Sequence, residues 1–230
     1  MEYRNELKFE VSELELNKIK YRLKALMRED SHQGADGYLI RSIYFDDIYN
    51  SYMLENESGV SQRKKYRIRI YNKSADEIHL EKKSKYHNMT KKEKQILTKE
   101  QYDAIIAGNW DFLRQNGMIE QGTLLEEVYV EVVRKNLSPK CIVEYERFAY
   151  VEEIGNVRIT FDRNIMGSLN IESFFSEQIL GVPVMPTGRH ILEIKYDELL
   201  PQYILQAVDI GNLRRQSFSK YYGTRVALRR

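Results

Sequence analysis

The sequence predicts an α+β protein in which a β-sheet closed into a barrel surrounds a charged lumen, with the first helix packed outside it. Three observations lead there. The stretch Arg63 to Tyr71, RKKYRIRIY, puts Arg63, Lys65, Arg67 and Arg69 on one face of a strand and Lys64, Tyr66, Ile68 and Ile70 on the other. An apolar row backed by a charged row recurs in several other β-like segments, more often than an ordinary solvated sheet requires. Between them lie helical segments opened by capping boxes.

In chain order, the first strand is expected from Tyr3 to Val11, with Arg4, Glu6, Lys8 and Glu10 on one face. Ser12 and Glu15 form a capping box, and Leu16, Ile19, Leu23, Leu26 and Met27 recur at helical spacing to about Arg28. A Gly-containing loop follows, then the β-rich LIRSIYFD, which Asp46 and Asp47 terminate rather than forming a metal site. Residues 48–62 predict a short helix or turn. After the central strand, EIHLEKKSK completes a hairpin with Glu77, His79, Glu81, Lys83 and Lys85 on one face, and Thr90 to Leu97 adds a ribbon carrying Lys92 and Lys94. Thr98 and Gln101 open a helix that closes at Gly108. Trp110 to Lys135 is expected to be helical up to Pro139, although the β-branched VYVEVV fits a strand as well. KCIVEYERFAY, NVRITFDRN and HILEIKYD supply three more strands; Pro201 starts a last helix to about Val208, and SFSKYYGTRVAL is the tail.

The 230 residues are 42% apolar and 30% charged, enough for one domain, residues 1–230, with a proper core. Lys plus Arg (36) nearly balances Asp plus Glu (34), so a generic nucleic-acid coat is excluded and any cationic patch must arise by segregation. The polar N-terminus does not resemble a signal peptide, and no apolar run approaches the roughly 20 residues that cross a bilayer, which predicts a cytoplasmic protein with no direct membrane insertion. Cys141, the only cysteine, lies in the apolar run CIVEY and is expected to be a buried small hydrophobe. Loops of the form GxxxxGK[ST] or GxGxxG, HExxH and CxxC are all missing, and His32, His79, His87 and His190 lack ligand spacing.

The strand-borne charges remain. Arginine grips phosphate oxygens in a plane and lysine adds a point charge, so converging rows of both suit a chain of phosphates. Carboxylates among them serve Mg²⁺ or Mn²⁺, which on a phosphate site takes one or two carboxylates plus phosphate oxygens and water; Glu193 with Glu6 or Asp162 meets that need. Against this stands the solvated face, where a cross-strand Lys–Glu pair contributes only about 0.2–1 kcal/mol. Recurrence over six or more strands favours function at Arg67 and Arg69, leaves Glu81, Lys94 and Lys195 open, and leaves Glu10, Lys65 and Lys85, at strand ends, solvated.

The ordered set R-x-E-x-K at Arg4, Glu6 and Lys8, K-x-R-x-R at Lys65, Arg67 and Arg69, E-x-K at Glu81 to Lys83, the arginine of YERFAY, R-x-T-x-D at Arg158 to Asp162, LEIK around Glu193 and SK at Lys220 resembles the VTC domain. That is the catalytic domain of the vacuolar transporter chaperone polyphosphate polymerase, among the triphosphate tunnel metalloenzymes that include the CYTH-like proteins. The resemblance implies a tunnel of about eight antiparallel strands. It makes Lys8, Arg67, Arg69, Lys83, Lys92, Arg147, Arg158 and Lys220 phosphate ligands and Glu193 a metal ligand; TKKEKQ allows Lys91 or Lys94 in place of Lys92. RNELK stands where the CYTH branch has ExExK, so Arg4 replaces one expected carboxylate. The membrane and regulatory domains of the eukaryotic proteins have no counterpart within these 230 residues, and any membrane-protein partner is unknown. The implied activity is transfer of the terminal phosphoryl of ATP to inorganic polyphosphate with Mn²⁺ or Mg²⁺, Arg67, Arg69, Arg147, Arg158 and Glu193 acting at the reacting group. A triphosphatase and a non-catalytic polyphosphate or nucleotide sensor are the alternatives.

Overall fold

The computed structural model describes residues 4–87, 89–209 and 213–229; Tyr3, expected in the first strand, lies outside them. Strand β1 (Asn5–Ser12) enters helix α1 (Glu13–Lys24) through the expected capping box, in which the Ser12 amide donates to Glu15 Oε2 at 2.7 Å. Leu16, Ile19 and Leu23 are buried, but Leu26 is 42% exposed. The helix stops short of Arg28 because the chain turns back and pairs Arg28–Glu29 (β2) with Val151 and Tyr150. Strand β3 (Tyr38–Asp46) ends as expected at Asp46, whose carboxylate accepts the Tyr52 and Met53 amides and so caps α2 (Ser51–Glu57).

The meander β4 (Gln62–Tyr71), β5 (Ile78–Tyr86) and β6 (Met89–Leu97) follows, then α3 (Lys99–Ala107) between its capping box and Gly108. The helical run expected over Trp110 to Lys135 is two helices, α4 (Trp110–Gln115) and α5 (Leu124–Lys135), separated by a turn through Gly117 and Gly122. VYVEVV lies inside α5, where burial of Leu125 and Val128 outweighs β propensity. Pro139 does not end this helix. Left-handed Asn136 does, and Pro139 sits in β7 (Ser138–Glu152) beside a register shift, where a missing amide costs little.

Strands β8 (Val157–Ser168), β9 (Val182–Pro183) and β10 (Arg189–Tyr196) precede α6 (Gln202–Val208). That helix is not the last: the expected tail forms α7 (Lys220–Ala227), capped by Ser219 and held by Tyr221, which stacks on Tyr44 with ring centroids 5.2 Å apart. The main path of the sheet is β1-β10-β8-β7-β3-β4-β5-β6, antiparallel throughout, with β2 beside β7 and β9 beside β8.

The expected closed barrel is not formed. The sheet curls until β1 and β5, near opposite ends of the path, are bridged by Glu6 and Lys83 at 2.9 Å. Among the described residues its edges, β1 and β6, meet at one isolated bridge, Arg4 with Thr90, so a side-chain ion pair spans the seam where a closed ladder would need backbone hydrogen bonds. Outside, one core packs Phe9, Ile159, Phe161 and Leu192 with Leu16 and Leu23 of α1 and Ile204 of α6; another packs Tyr66, Ile68 and Leu80 with Ile105 of α3, Leu113 of α4 and Leu125 of α5. Inside, the charged rows surround a smaller cluster of Tyr44, Tyr145, Ile191 and Tyr221. Among the described residues no helix is long and apolar enough to cross a membrane.

Candidate functional site: an ion-paired inner face

Because Tyr66, Ile68 and Ile70 are completely buried outside, the two-residue period of β4 turns Arg67 and Arg69 inward. Arg67 donates through Nε to Glu81 Oε2 at 2.7 Å and through Nη1 to the Tyr44 hydroxyl at 2.9 Å. Arg69 donates to Ser42 Oγ and to the Tyr145 hydroxyl, each at 3.1 Å, and only approaches Glu81, at 3.9 Å. Burial works against the Glu81 charge, but Arg67, Arg69 and Lys92 hold its carboxyl well below the usual range. Lys92 is ion-paired with Glu81, whereas Lys91 bonds Glu93 and Lys94 stays exposed.

Two buried carboxylates, Asp162 and Glu193, and the half-buried Glu6 mark the other half of this face. Lys8 and Lys83 reach Glu6 at 2.6 and 2.9 Å, and Lys195 reaches Glu193 at 2.6 Å. Arg147 grips Asp162 with two bonds of 2.6 and 2.8 Å while Lys220, the first residue of α7, approaches the same carboxylate at 2.5 Å. Burial raises the pKa of all three acids, and Glu193 adds to this at Glu6 and Asp162; the surrounding lysines and Arg147 nevertheless bring each below its ordinary value. Register brings them together: Lys8 lies opposite Glu193, Glu193 opposite Thr160, and Asp162 opposite Arg147. Gly37, at φ +82°, lets the preceding loop lie on β7 where a Cβ would collide with the Arg147 carbonyl.

Of the residues named from the sequence, Arg158 stands apart: at the rim it bonds Asp30 at 2.6 Å and the Tyr38 hydroxyl at 3.2 Å, with 30% of its side chain exposed. Lys65 is not solvated as expected. It is drawn onto the inner face, donating to Ser219 Oγ at 2.8 Å, while Glu10 and Lys85 are half-buried. Tyr44 and Tyr145 carry no charge to mark them in the sequence, but they stand two residues from Ser42 and Arg147 and so share their faces. Burial raises the Tyr145 phenol, but Arg147, Arg69 and Lys220 bring it below its ordinary value. Cys141 is buried, its thiol pushed up to about 12 by that burial. An open cavity of about 730 Å³ beside α7, lined by Val184, Met185, Phe218, Tyr222 and Val226 with Glu57, contains none of the inner-face charges.

Among the described residues no three His, Cys, Asp or Glu side chains already form a metal cage. The arrangement can neutralise several negative charges at once while keeping oxygen ligands within reach of them.

Among solved structures the chain is similar to a candidate adenylate cyclase from Vibrio parahaemolyticus, 13% identical, covering 96% of this chain and 97% of that one with a TM-score of 0.50. A candidate adenylate cyclase from Bacillus halodurans is 17% identical over 90% of each chain, TM-score 0.49. The Mimivirus capping enzyme triphosphatase is 12% identical over 91% of this chain and 87% of that one, TM-score 0.42. At such identities the likeness concerns the fold alone. A search of curated proteins finds no match. The VTC domain family matches residues 3–228, nearly the whole length, and the chain belongs to that family.

Proposed function

We propose that the inner face binds the triphosphate of ATP and transfers its terminal phosphoryl group to the end of a polyphosphate chain, releasing the diphosphate. The observation that carries this is Arg69: a buried guanidinium held mainly by neutral hydroxyls, beside Arg67 and opposite an acid-rich wall. Keeping such a cation away from a full counter-charge costs stability and is repaid only by an anionic ligand. Transfer between phosphates requires positioning and charge neutralisation more than covalent chemistry. Arg67, Arg69 and Lys92 would hold the donor phosphates, and Lys8, Lys83 and Lys220 the acceptor. Arg147 would contact the transferring group, and Arg158 would act from the rim. An acceptor oxygen forms the new bond to the γ-phosphorus as the β,γ-bridging bond breaks.

The buried acids fit Mg²⁺ or Mn²⁺: they offer only oxygen, and Glu193 lies close enough to Glu6 and Asp162 to disfavour their charged forms. Glu193, with Glu6 or Asp162, would hold the ion, which supplies charge neutralisation at the phosphates. Hydrolysis needs a carboxylate free to orient water, and Glu81, the candidate nearest the arginines, is occupied by cations. The test is incubation with ATP and Mn²⁺, resolving long polyphosphate from free phosphate. Polymer is expected. Free phosphate alone makes the protein a triphosphatase, and no turnover with any divalent metal makes it a binding domain.

A further inference from the structure

Arg158, Thr160 and Asp162 of β8 face inward, because Ile159 and Phe161 between them are buried in the outer core with Phe9 and Leu192. The two charged residues have partners: Asp30 for Arg158, and Arg147 with Lys220 for Asp162. Thr160 does not. It is only 3% exposed, and its hydroxyl has no hydrogen-bond partner among the described residues. Burying a hydroxyl in that state costs stability that an apolar side chain of the same shape would not lose. The flanking strands offer no remedy. On β7 the residue opposite is Ala149, a bare methyl, and on β10 it is Glu193, whose carboxylate pairs with Lys195 at 2.6 Å. Residues directly opposite on a ladder have their β-carbons about 5 Å apart, and Asp162 follows Thr160 on the same face about 7 Å along the strand. A neutral oxygen therefore stands between two carboxylates. On the other flank of Glu193 the residue directly opposite is Lys8, a cation.

We propose that the Thr160 hydroxyl is an oxygen ligand of the divalent cation, which is held on the β8 side of Glu193, toward Asp162 rather than Glu6. This deepens the proposed function and rests on it. Mg²⁺ and Mn²⁺ at phosphate sites take hard oxygen ligands, most of them from phosphate and water, and need only one or two carboxylates from the protein. A Ser or Thr hydroxyl beside the phosphates serves that purpose in phosphate-binding loops. On this face a hydroxyl has a further advantage: it adds an oxygen without adding an anion that would repel the phosphates. Lys8 repels an ion placed toward β1, whereas Thr160 presents an oxygen that nothing else engages. Because Lys195 stands on Glu193, and Arg147 with Lys220 on Asp162, the ion arrives together with phosphates that offset those cations.

The experiment is calorimetric titration of tripolyphosphate, with and without Mn²⁺, into the wild-type chain, Thr160→Val and Thr160→Ser. The ratio of the two affinities is the gain due to the metal; chelation of Mn²⁺ by free tripolyphosphate is common to all three proteins and cancels. The wild type should gain from Mn²⁺. Thr160→Val keeps the branched shape and removes the oxygen, so its affinity with Mn²⁺ should fall about tenfold, the lower end of what disturbing a metal's surroundings costs, while its metal-free affinity stays within about twofold. Thr160→Ser should recover the gain to within about threefold. Without ligand, Thr160→Val should melt no lower than wild type, since it no longer buries an unpaired hydroxyl. An unchanged gain in Thr160→Val overturns the assignment. So does an equal fall with and without Mn²⁺, which would make the hydroxyl a direct phosphate contact, and so does a clear drop in melting temperature, which would make it structural. If the wild type binds no tripolyphosphate under either condition, the triphosphate site falls and this ligand with it, whereas binding that ignores Mn²⁺ overturns only the ion and its ligand.

Discussion

The two halves of the inner face solve the same electrostatic problem differently. On β4, β5 and β6, one buried acid, Glu81, serves Arg67 and Lys92, while Arg69 rests on Ser42 and Tyr145. On β1, β10, β8 and β7, three acids each have a close cation: half-buried Glu6 with Lys8, and buried Glu193 with Lys195 and Asp162 with Arg147. The first half has positive charge to spare for a ligand; the second is nearly self-neutralised and offers oxygen atoms. The difference teaches that a net charge of only +2 over the chain can coexist with a strongly cationic patch on one face. Segregation across one curled sheet, not composition, makes the field.

The comparison breaks first at Arg69, whose removal has the largest expected effect. Glu81 keeps Arg67 and Lys92 in Arg69→Ala, so the fold should survive, yet tripolyphosphate should bind roughly 100-fold more weakly for the loss of one or two charge-assisted bonds. Melting with and without tripolyphosphate reads this directly, because ligand stabilises the folded state by mass action. A variant stabilised as much as wild type would show that the arginine half is not the triphosphate site.

Glu193→Gln tests the other half. As an anion on a face built for anions, Glu193 opposes ligand binding unless a divalent cation lies between them. The variant should bind tripolyphosphate without metal at least as well as wild type and make no polymer at any Mn²⁺ concentration. It leaves Lys195 without its 2.6 Å partner, so a loss of about 1–3 kcal/mol in stability is expected alongside. Wild-type polymer formation by the variant would remove Glu193 from the metal role.

Most of the inner face was legible because a two-residue period needs only the strand: once Tyr66, Ile68 and Ile70 are assigned outward, Arg67 and Arg69 have one place to go. Capping boxes at Ser12 and Thr98 were legible for the same local reason. What depended on distant packing was not. Lys65 looked solvated at a strand end, but α7 covers it, and α7 was read as a tail because its helix is held by Tyr221 against Tyr44 and Asp46 rather than by local propensity. Nor could alternation foretell that the β1–β6 seam would be spanned by side chains, since the residues on either side are far apart in the chain.

The smallest expected effect is also the one that separates the halves by protonation. Lys83, joined to the acid half through Glu6, and Lys92, joined to the arginine half through Glu81, both stand at about 8 instead of their ordinary value. Burial is the main cause in each; Lys8 and Lys195 add to it at Lys83, and Arg67 and Arg69 at Lys92. A lysine depressed in the folded state charges at a cost that is fully present below its folded pKa. That cost is relieved as pH rises from about 8 toward the unfolded value near 10.4, so these two groups add stability to the ligand-free protein across that window. Triphosphate binding runs the opposite way. It favours the ammonium forms, so affinity should hold steady below about pH 7 and fall above about pH 8, with proton uptake growing over the same range. Calorimetry in two buffers of different ionisation heat measures that uptake. Lys83→Met and Lys92→Met should each remove part of it, and the larger loss identifies the half on which the ligand's charge falls. If both variants take up protons as the wild type does at about pH 9, neither lysine faces the ligand and the division of the inner face into donor and acceptor halves must be redrawn.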